Sequence, residues 1–409
     1  MHTYIIEGGV PLSGTVRVSG SKNAALPVIF ATLVTYGINT VYGLPDIEDV
    51  RVALELVRGF GAVITKSKNC TVIDTRTLSY TEPRHELVCR LRASTYLIGA
   101  CLGRFGRALT GGFGGCSFSD RPIDLHVYAM HTLGAVDSGE HLLADALSAA
   151  EISFPIVSVG ATVNALIATA TAEGESIIRG ASREPHIDTL IEFLRGAGAK
   201  ITVRGNTIYV VGTRLTGSSV TIPGDMIEAG TFLAISALSG GKVGVMGADI
   251  FELNSFLCPL VNSGIRQDRI DGAYYLSGKA DKPIEIVTAP YPGFPTDLQP
   301  ILAPLLSLSE GGTIKETVWQ GRFGYLLELS KMGLSYKLSD STAQIYKSII
   351  TPATAVARDL RGGAALVIAA LFAQGQSIIE GADILDRGYE RFEEKLKSIG
   401  AKIKILKST

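Results

Sequence analysis

The chain has 409 residues, 46% hydrophobic and 19% charged, with a formal net charge of −1. That length suits two or three domains, each with its own core, and the apolar content excludes a disordered chain. Near-neutral charge excludes a general nucleic-acid binder, which needs surplus Lys and Arg, but leaves room for a local cluster that holds a small anion.

No apolar run reaches the roughly 18 residues of a spanning helix. The start, His2-Thr3-Tyr4-Ile5-Ile6-Glu7, lacks the basic flank and apolar core of a signal peptide, so a cytoplasmic location is expected. The cysteines Cys70, Cys89, Cys101, Cys116 and Cys258 form no C-x-x-C pair, and the six histidines show no metal-ligand spacing. Neither a disulfide framework nor a metal site is expected.

In chain order, an amphipathic helix that ends in Gly and leads into a strand recurs at Gly61, Gly134, Gly198, Gly264, Gly333 and Gly400. These glycines lie 64 to 73 residues apart, so six copies of about 68 residues fill the chain. A second marker precedes each by 21 to 28 residues: an apolar helix rich in small residues, ending at Gly37, Gly106, Gly174, Gly241, Gly312 and Gly375. Glycine suits these ends because the position after a helix favours left-handed backbone. Each unit therefore reads as apolar helix, strand, second helix, strand and a further short strand. The first helix should be buried and the second should cover the outside. Units of this size cannot share one core, and an α/β arrangement of three plus three is the economical solution.

The polar residues of interest also fall in chain order. Lys22 and Asn23 in Ser19-Gly20-Ser21-Lys22-Asn23-Ala24 precede a predicted helix over 24–33, where backbone N–H groups suit an anion. Taken alone, Lys22 is a weak signal, since a first-turn Lys is more often a solvated surface residue. Arg90-Leu91-Arg92 opens a predicted helix over 93–102. Gly111-Gly112-Phe113-Gly114-Gly115-Cys116-Ser117-Phe118-Ser119-Asp120-Arg121-Pro122 reads either as a lid that carries a reactive Cys or as a hairpin with an incidental one.

In the second half, Asp297 and Asp359 stand where N-caps occur, whereas Arg322, Arg361 and Arg387 stand near helix starts. An Arg there opposes the helix dipole and so calls for a counter-anion. If each trio of apolar helices packs side by side, their polar N-terminal ends gather on one face. Two such faces opposed would form a cleft for a strongly anionic ligand.

With these residues the chain resembles the enolpyruvyl transferases from end to end. The match rests on Gly20-Ser21-Lys22-Asn23-Ala24-Ala25, Arg92-Ala93-Ser94, Gly114-Gly115-Cys116, Arg121-Pro122-Ile123-Asp124-Leu125-His126 and Ser158-Val159-Gly160-Ala161-Thr162. It continues through Phe294-Pro295-Thr296-Asp297, Asp359-Leu360-Arg361 and Asp386-Arg387-Gly388-Tyr389-Glu390-Arg391. The resemblance implies a two-domain inside-out α/β barrel of six βαβαββ repeats that closes over its substrates. Residues 22–222 would form the first domain, and residues 1–21 with 223–409 the second.

It also implies the chemistry. The enolpyruvyl group of phosphoenolpyruvate would pass to the 3-hydroxyl of UDP-N-acetylglucosamine with release of phosphate, in peptidoglycan precursor synthesis. No cofactor, nucleic acid, membrane or obligate protein partner is implied. Lys22, Arg121 and Arg387 would hold the phosphate of phosphoenolpyruvate, Arg322 and Arg361 its carboxylate, and Arg92 would support the loop. Asp297 would be the general base; Cys116 and Asp359 would serve proton transfer at the methylene carbon, and the epoxide phosphonate fosfomycin would alkylate Cys116. Asn23, Pro122, Asp124, Leu125, Ser158, Val159, Gly160 and Val318 would line the acceptor site.

Two departures fall on the acceptor side. Asp120 stands before Arg121 where the family usually has a small residue. Segment 154–157 reads Phe-Pro-Ile-Val where the family tends to place a Lys near the acceptor diphosphate. Two alternatives therefore stand beside the main expectation: another nucleotide or nucleotide-sugar acceptor, or a catalytically silent binder of nucleotide sugars. Retention of Cys116, Asp297 and Asp359 speaks against the silent binder.

Overall fold

Six apolar helices carry the architecture: Lys22–Ala31, Leu97–Phe105, Val159–Thr169, Met226–Leu238, Gln299–Leu308 and Leu360–Phe372. With hardly a polar face among them, they are buried along most of their length. The structure is a computed structural model that describes residues 2–114 and 122–407. A second set of helices is buried on one side only. Glu48–Gly59, for example, buries Val50, Ala53, Leu54 and Val57 at helical spacing and exposes Arg51 and Arg58.

Contacts divide the chain into two units. One comprises residues 2–19 and 224–407, the other 20–114 and 122–223, and each has its own apolar core. The first unit holds three four-stranded sheets. Their orders are Thr354–Val356, Gly375–Glu380, His2–Gly8, Lys402–Lys407; Arg266–Ile270, Ala273–Ser277, Val243–Met246, Gly14–Arg17; and Ile284–Val287, Gly312–Lys315, Thr342–Tyr346, Ser335–Ser339. The second unit has two four-stranded sheets, one of them Glu151–Ser153, Glu175–Arg179, Thr207–Val211, Lys200–Arg204 and the other built around Ile38–Tyr42. Its third sheet, Arg107–Leu109, His141–Leu143, Val136–Ser138, has three strands among the described residues.

One rule generates the five four-stranded sheets. An edge strand leads into the apolar helix, and the strand after that helix returns parallel to the edge strand, as Glu151–Ser153 does with Glu175–Arg179. Two antiparallel strands then complete the sheet. At two places the rule holds with an exchange. Gly14–Arg17 stays in the first unit, parallel to Val243–Met246, although the helix after it, Lys22–Ala31, belongs to the second. Ser219–Thr221 does the reverse and pairs parallel with Ile38–Tyr42. The N-terminal strand His2–Gly8 completes the sixth repeat, antiparallel to both Gly375–Glu380 and Lys402–Lys407.

Within each unit the apolar helices are enclosed and the sheets keep an exposed face. Along Glu175–Arg179, Ser176 and Ile178 are buried while Glu175 and Arg179 are exposed. This is the inside-out α/β arrangement that the family resemblance implies.

All six glycines of the amphipathic-helix marker take positive φ, between +89° and +116°. The second marker holds at Gly106, Gly174, Gly241 and Gly375 but needs correction at two positions. Before Gly312 the left-handed residue is Gly311, at φ +78°, and Gly312 itself lies in a strand. Gly37 is required by space instead: a Cβ there would stand 2.3 Å from the Gly217 nitrogen. Two helix starts also differ from expectation. The helix expected at 93–102 begins at Leu97, after a 3₁₀ turn over Arg92–Tyr96. Arg387 ends the 3₁₀ turn Ala382–Arg387 rather than opening a helix, because Arg391, at φ +48°, separates that turn from the helix Phe392–Ser398.

Candidate active site

In the first unit, Asp297 lies in the 3₁₀ turn Thr296–Leu298 that leads into helix Gln299–Leu308. The turn places its carboxylate between two arginines from distant segments. Oδ1 accepts from Arg322 Nη2 at 2.7 Å, and Oδ2 accepts from Arg361 Nε and Nη2, both at 3.3 Å. The guanidinium side chains are 5% and 3% exposed, the carboxylate 29%. Two buried guanidinium groups thus converge on one partly solvated carboxylate.

Arg361 is the second residue of helix Leu360–Phe372, where the dipole disfavours a cation. Burial also opposes its charge, but Tyr389, Asp297 and Asp225 outweigh that and hold the guanidinium more basic than an ordinary arginine. The Tyr389 ring lies 5.2 Å from the guanidinium carbon, and Tyr389 in turn shares a 2.9 Å hydrogen bond with Thr231. The second terminal nitrogen of Arg361, Nη1, is buried with no hydrogen-bond partner among the described residues. Such an orphan donor is expensive unless a ligand satisfies it.

Asp359 is the N-cap of the same helix, accepting from the Arg361 and Gly362 backbone nitrogens at 3.1 and 2.8 Å. Both of these bonds fall on Oδ1. The N-cap role proposed from sequence thus applies to Asp359. Asp297 makes no capping bond; its carboxylate is held by the two arginines. The Val318 nitrogen donates to the buried Glu316 at 2.7 Å, in the turn that precedes Arg322.

In the second unit the same logic of helix N-termini holds. Ser21 caps the helix that opens with Lys22 and Asn23, and Lys22 Nζ lies 3.4 Å from the buried Asp49 carboxylate. Arg92 opens its 3₁₀ turn, half-buried. Pro122 is exposed just before helix Asp124–Thr132, whose first two residues are Asp124 and Leu125. Ser158 caps helix Val159–Thr169 through the Ala161 nitrogen, so Val159 and Gly160 lie in its first turn. Cys116, Asp120 and Arg121 lie outside the described residues.

Sequence reasoning gave no role to the knot beneath this surface. Asn164 Oδ1 accepts from the Gly99 nitrogen at 2.7 Å, which turns its Nδ2 toward the Thr95 carbonyl at 3.0 Å and His126 Nδ1 at 2.7 Å. His126 therefore accepts at Nδ1 and carries its proton on Nε2, the nitrogen that lies against Gly160. Burial, with Arg92 beside it, lowers the His126 pKa to about 4.

A group that stays neutral in the fold but protonates near 6.5 when unfolded removes stability as pH falls through that window. Stability measured by urea unfolding should accordingly drop between about pH 6.5 and pH 4, by no more than ~3 kcal/mol. A His126→Gln variant should lack this component; an identical pH dependence in parent and variant would refute the assignment.

Among the described residues there is no group of three or more metal-ligating side chains, and no helix is long and apolar enough to cross a membrane.

The family profile described as EPSP synthase (3-phosphoshikimate 1-carboxyvinyltransferase) matches residues 6–396. The chain is 41% identical to UDP-N-acetylglucosamine 1-carboxyvinyltransferase 3 of Caldanaerobacter subterraneus subsp. tengcongensis, covering 98% of this chain and 99% of that relative. It is 39% identical to the UDP-N-acetylglucosamine 1-carboxyvinyltransferase of Halothermothrix orenii, over 100% of both. Among solved structures, the enolpyruvyl transferase NikO from Streptomyces tendae superposes with a TM-score of 0.86 at 25% identity, over 100% of this chain and 99% of that one. EPSP synthase from Acinetobacter baumannii superposes with a TM-score of 0.74 at 19% identity over 100% of both chains, a likeness of fold.

Proposed function

The chain belongs to the enolpyruvyl transferase family, and we propose that it moves the enolpyruvyl group of phosphoenolpyruvate to the 3-hydroxyl of UDP-N-acetylglucosamine, releasing phosphate, as a cytoplasmic step of peptidoglycan precursor synthesis. The observation that carries this reading is the Asp297 carboxylate held between Arg322 and Arg361. A base and two guanidinium forks side by side suit a reaction that joins a hydroxyl to a carboxylate-bearing carbon. Residues 22–222 form one enolpyruvyl transferase domain in this proposal, and residues 1–21 with 223–409 the other.

Arg322 and Arg361 bind the carboxylate of phosphoenolpyruvate, and Nη1 of Arg361, which has no partner among the described residues, gains an acceptor. Lys22, Arg121 and Arg387 take the phosphate, with Arg92 behind the loop. Asn23, Pro122, Asp124, Leu125, Ser158, Val159, Gly160 and Val318 receive the nucleotide sugar. Asp297 removes the proton of the 3-hydroxyl as its oxygen attacks the central carbon of phosphoenolpyruvate. Cys116 and Asp359 deliver a proton to the methylene carbon, giving a tetrahedral adduct that still holds phosphate. Loss of a proton from the new methyl group then expels phosphate and restores the double bond.

Phosphate release across a panel of acceptors tests the reading. Turnover with UDP-N-acetylglucosamine is expected, and none with it would overturn the proposal. One observation favours a different acceptor: Ile156, two residues before the Ser158 cap, is 68% exposed where a diphosphate-binding cation is expected. Turnover confined to another nucleotide or nucleotide sugar would select that alternative.

Fosfomycin gives an independent check on Cys116. Labelling should be selective for it over Cys70, Cys89, Cys101 and Cys258, accelerated by acceptor and blocked by phosphoenolpyruvate. Cys101 is buried, and burial pushes its thiol well up, so it should stay unmodified. Asp120, four residues after Cys116 in sequence, opposes thiolate formation, and the reaction should be slower than Arg121 alone would give. Peptide mass spectrometry showing equal labelling of several cysteines, or none at Cys116, would remove it from the site.

A further inference from the structure

Glu316 is 2% exposed, and its carboxylate collects four hydrogen bonds. Oε1 accepts from the Thr288 hydroxyl at 2.8 Å and from the Val318 and Trp319 nitrogens at 2.7 and 2.9 Å. Oε2 accepts from the Thr296 hydroxyl at 2.8 Å. A hydroxyl has one proton and two lone pairs. Because Thr296 gives its proton to Glu316, it can present only a lone pair to Arg322, and Arg322 Nη1 donates to it at 3.0 Å. Arg322 Nη2 then meets Asp297 Oδ1 at 2.7 Å. Every donor in this chain has a direction, and the direction is set at its buried end by a group that can only accept.

We infer that Glu316 is a positioning residue: through Thr296 it fixes Arg322 on Asp297, and through the Val318 and Trp319 nitrogens it fixes the turn beside them. The inference rests on the reaction proposed above, in which Asp297 is the base and Arg322 binds the carboxylate of phosphoenolpyruvate. The same carboxylate thus ties the base, the carboxylate-binding arginine and the Val318 backbone to one reference point. Glutamine at this position keeps the shape but offers an amide donor. If that donor faces Thr296, the hydroxyl accepts from it, and its own proton turns toward Arg322 and Asp297.

The test compares Glu316→Gln, Thr296→Val, Thr296→Ser and Thr288→Val by phosphate release and by crystallography. Glu316→Gln and Thr296→Val should each lower kcat by about 10- to 100-fold, the scale for a misplaced catalytic group. Their double variant should be no worse than the poorer single one. Thr296→Ser keeps the hydroxyl and should stay within about threefold of the parent. Thr288→Val removes a bond from the far oxygen of the same carboxylate and should lower the unfolding temperature while leaving kcat within about twofold.

In the crystal structures of Glu316→Gln and Thr296→Val, the Arg322 Nη2–Asp297 Oδ1 separation should open beyond about 3.5 Å. If Glu316→Gln fails to fold, Thr296→Val alone decides, since it leaves the carboxylate in place. Turnover of these variants within about threefold of the parent overturns the inference, and so does an unchanged separation. A parent that releases phosphate with no acceptor defeats the proposed function, and the separation then still decides whether Glu316 sets the arginine.

Discussion

Asp297→Asn is expected to lower turnover by about a hundred- to ten-thousandfold, the usual contribution of a general base, while acceptor binding stays within about 1–2 kcal/mol of the parent. The amide keeps the shape and can still accept from one arginine, but it has no basic oxygen for the hydroxyl proton. The variant also leaves Arg322 and Arg361, 5% and 3% exposed, without their shared negative charge. Breaking such a group costs roughly 3 kcal/mol when all members are buried, and less here because the carboxylate itself is partly solvated. Phosphoenolpyruvate brings a carboxylate of its own to that cationic pair, so its KM should not rise. The signature is therefore a fall in kcat with an unchanged or lower KM for phosphoenolpyruvate and a reduced urea midpoint. Phosphate-release kinetics and urea unfolding of the same preparation measure all three. Full activity of the variant would take Asp297 out of proton transfer and leave it as the counter-ion of two arginines.

The sequence exposes those features of this protein that repeat or that obey local rules. Six left-handed glycines mark the ends of the amphipathic helices, and helices without a polar face can only be interior. The polar N-terminal residues follow from the same logic, since a buried helix must satisfy its first N–H groups. Ser21, Ser158, Asp225 and Asp359 do so as caps. Gly37 and Gly312 show the limit of local reading, because a neighbouring backbone rather than a turn demands glycine there.

The supporting groups were not legible for a different reason. Asn164 acts on Gly99 and Thr95, 65 and 69 residues away, and on His126, 38 away. Glu316 acts on Thr296 and Thr288 across 20 and 28 residues. Nothing in the flanking sequence marks these residues as buried acceptors; their partners exist only once strands and helices are assembled. The candidate catalytic residues stand out as charges out of place on apolar helices, whereas the groups that aim them look like ordinary surface polarity.

Arg361→Lys is expected to be the most damaging conservative change in the molecule. The guanidinium engages Asp297 Oδ2 through two nitrogens, lies over Tyr389 and buries a third nitrogen, Nη1, with no hydrogen-bond partner among the described residues. An ammonium is a compact point charge with no planar fork, so it can stay on Asp297 or turn toward a substrate carboxylate but cannot serve both. Two charge-assisted hydrogen bonds at roughly 1.5–2 kcal/mol each amount to about 3–4 kcal/mol, or two to three powers of ten in kcat/KM. That loss should appear in the KM for phosphoenolpyruvate, with acceptor KM within about threefold, because Arg361 is assigned to the carboxylate alone. A lower unfolding temperature is expected as well, since lysine loses its charge more readily than arginine when buried, beside a helix N-terminus that already disfavours a cation. The two effects separate by substrate. If the unfolding temperature falls while KM for phosphoenolpyruvate stays at the parent value, Arg361 only neutralises Asp297. A hundredfold or greater rise confined to phosphoenolpyruvate is the result expected if the guanidinium fork binds that substrate's carboxylate.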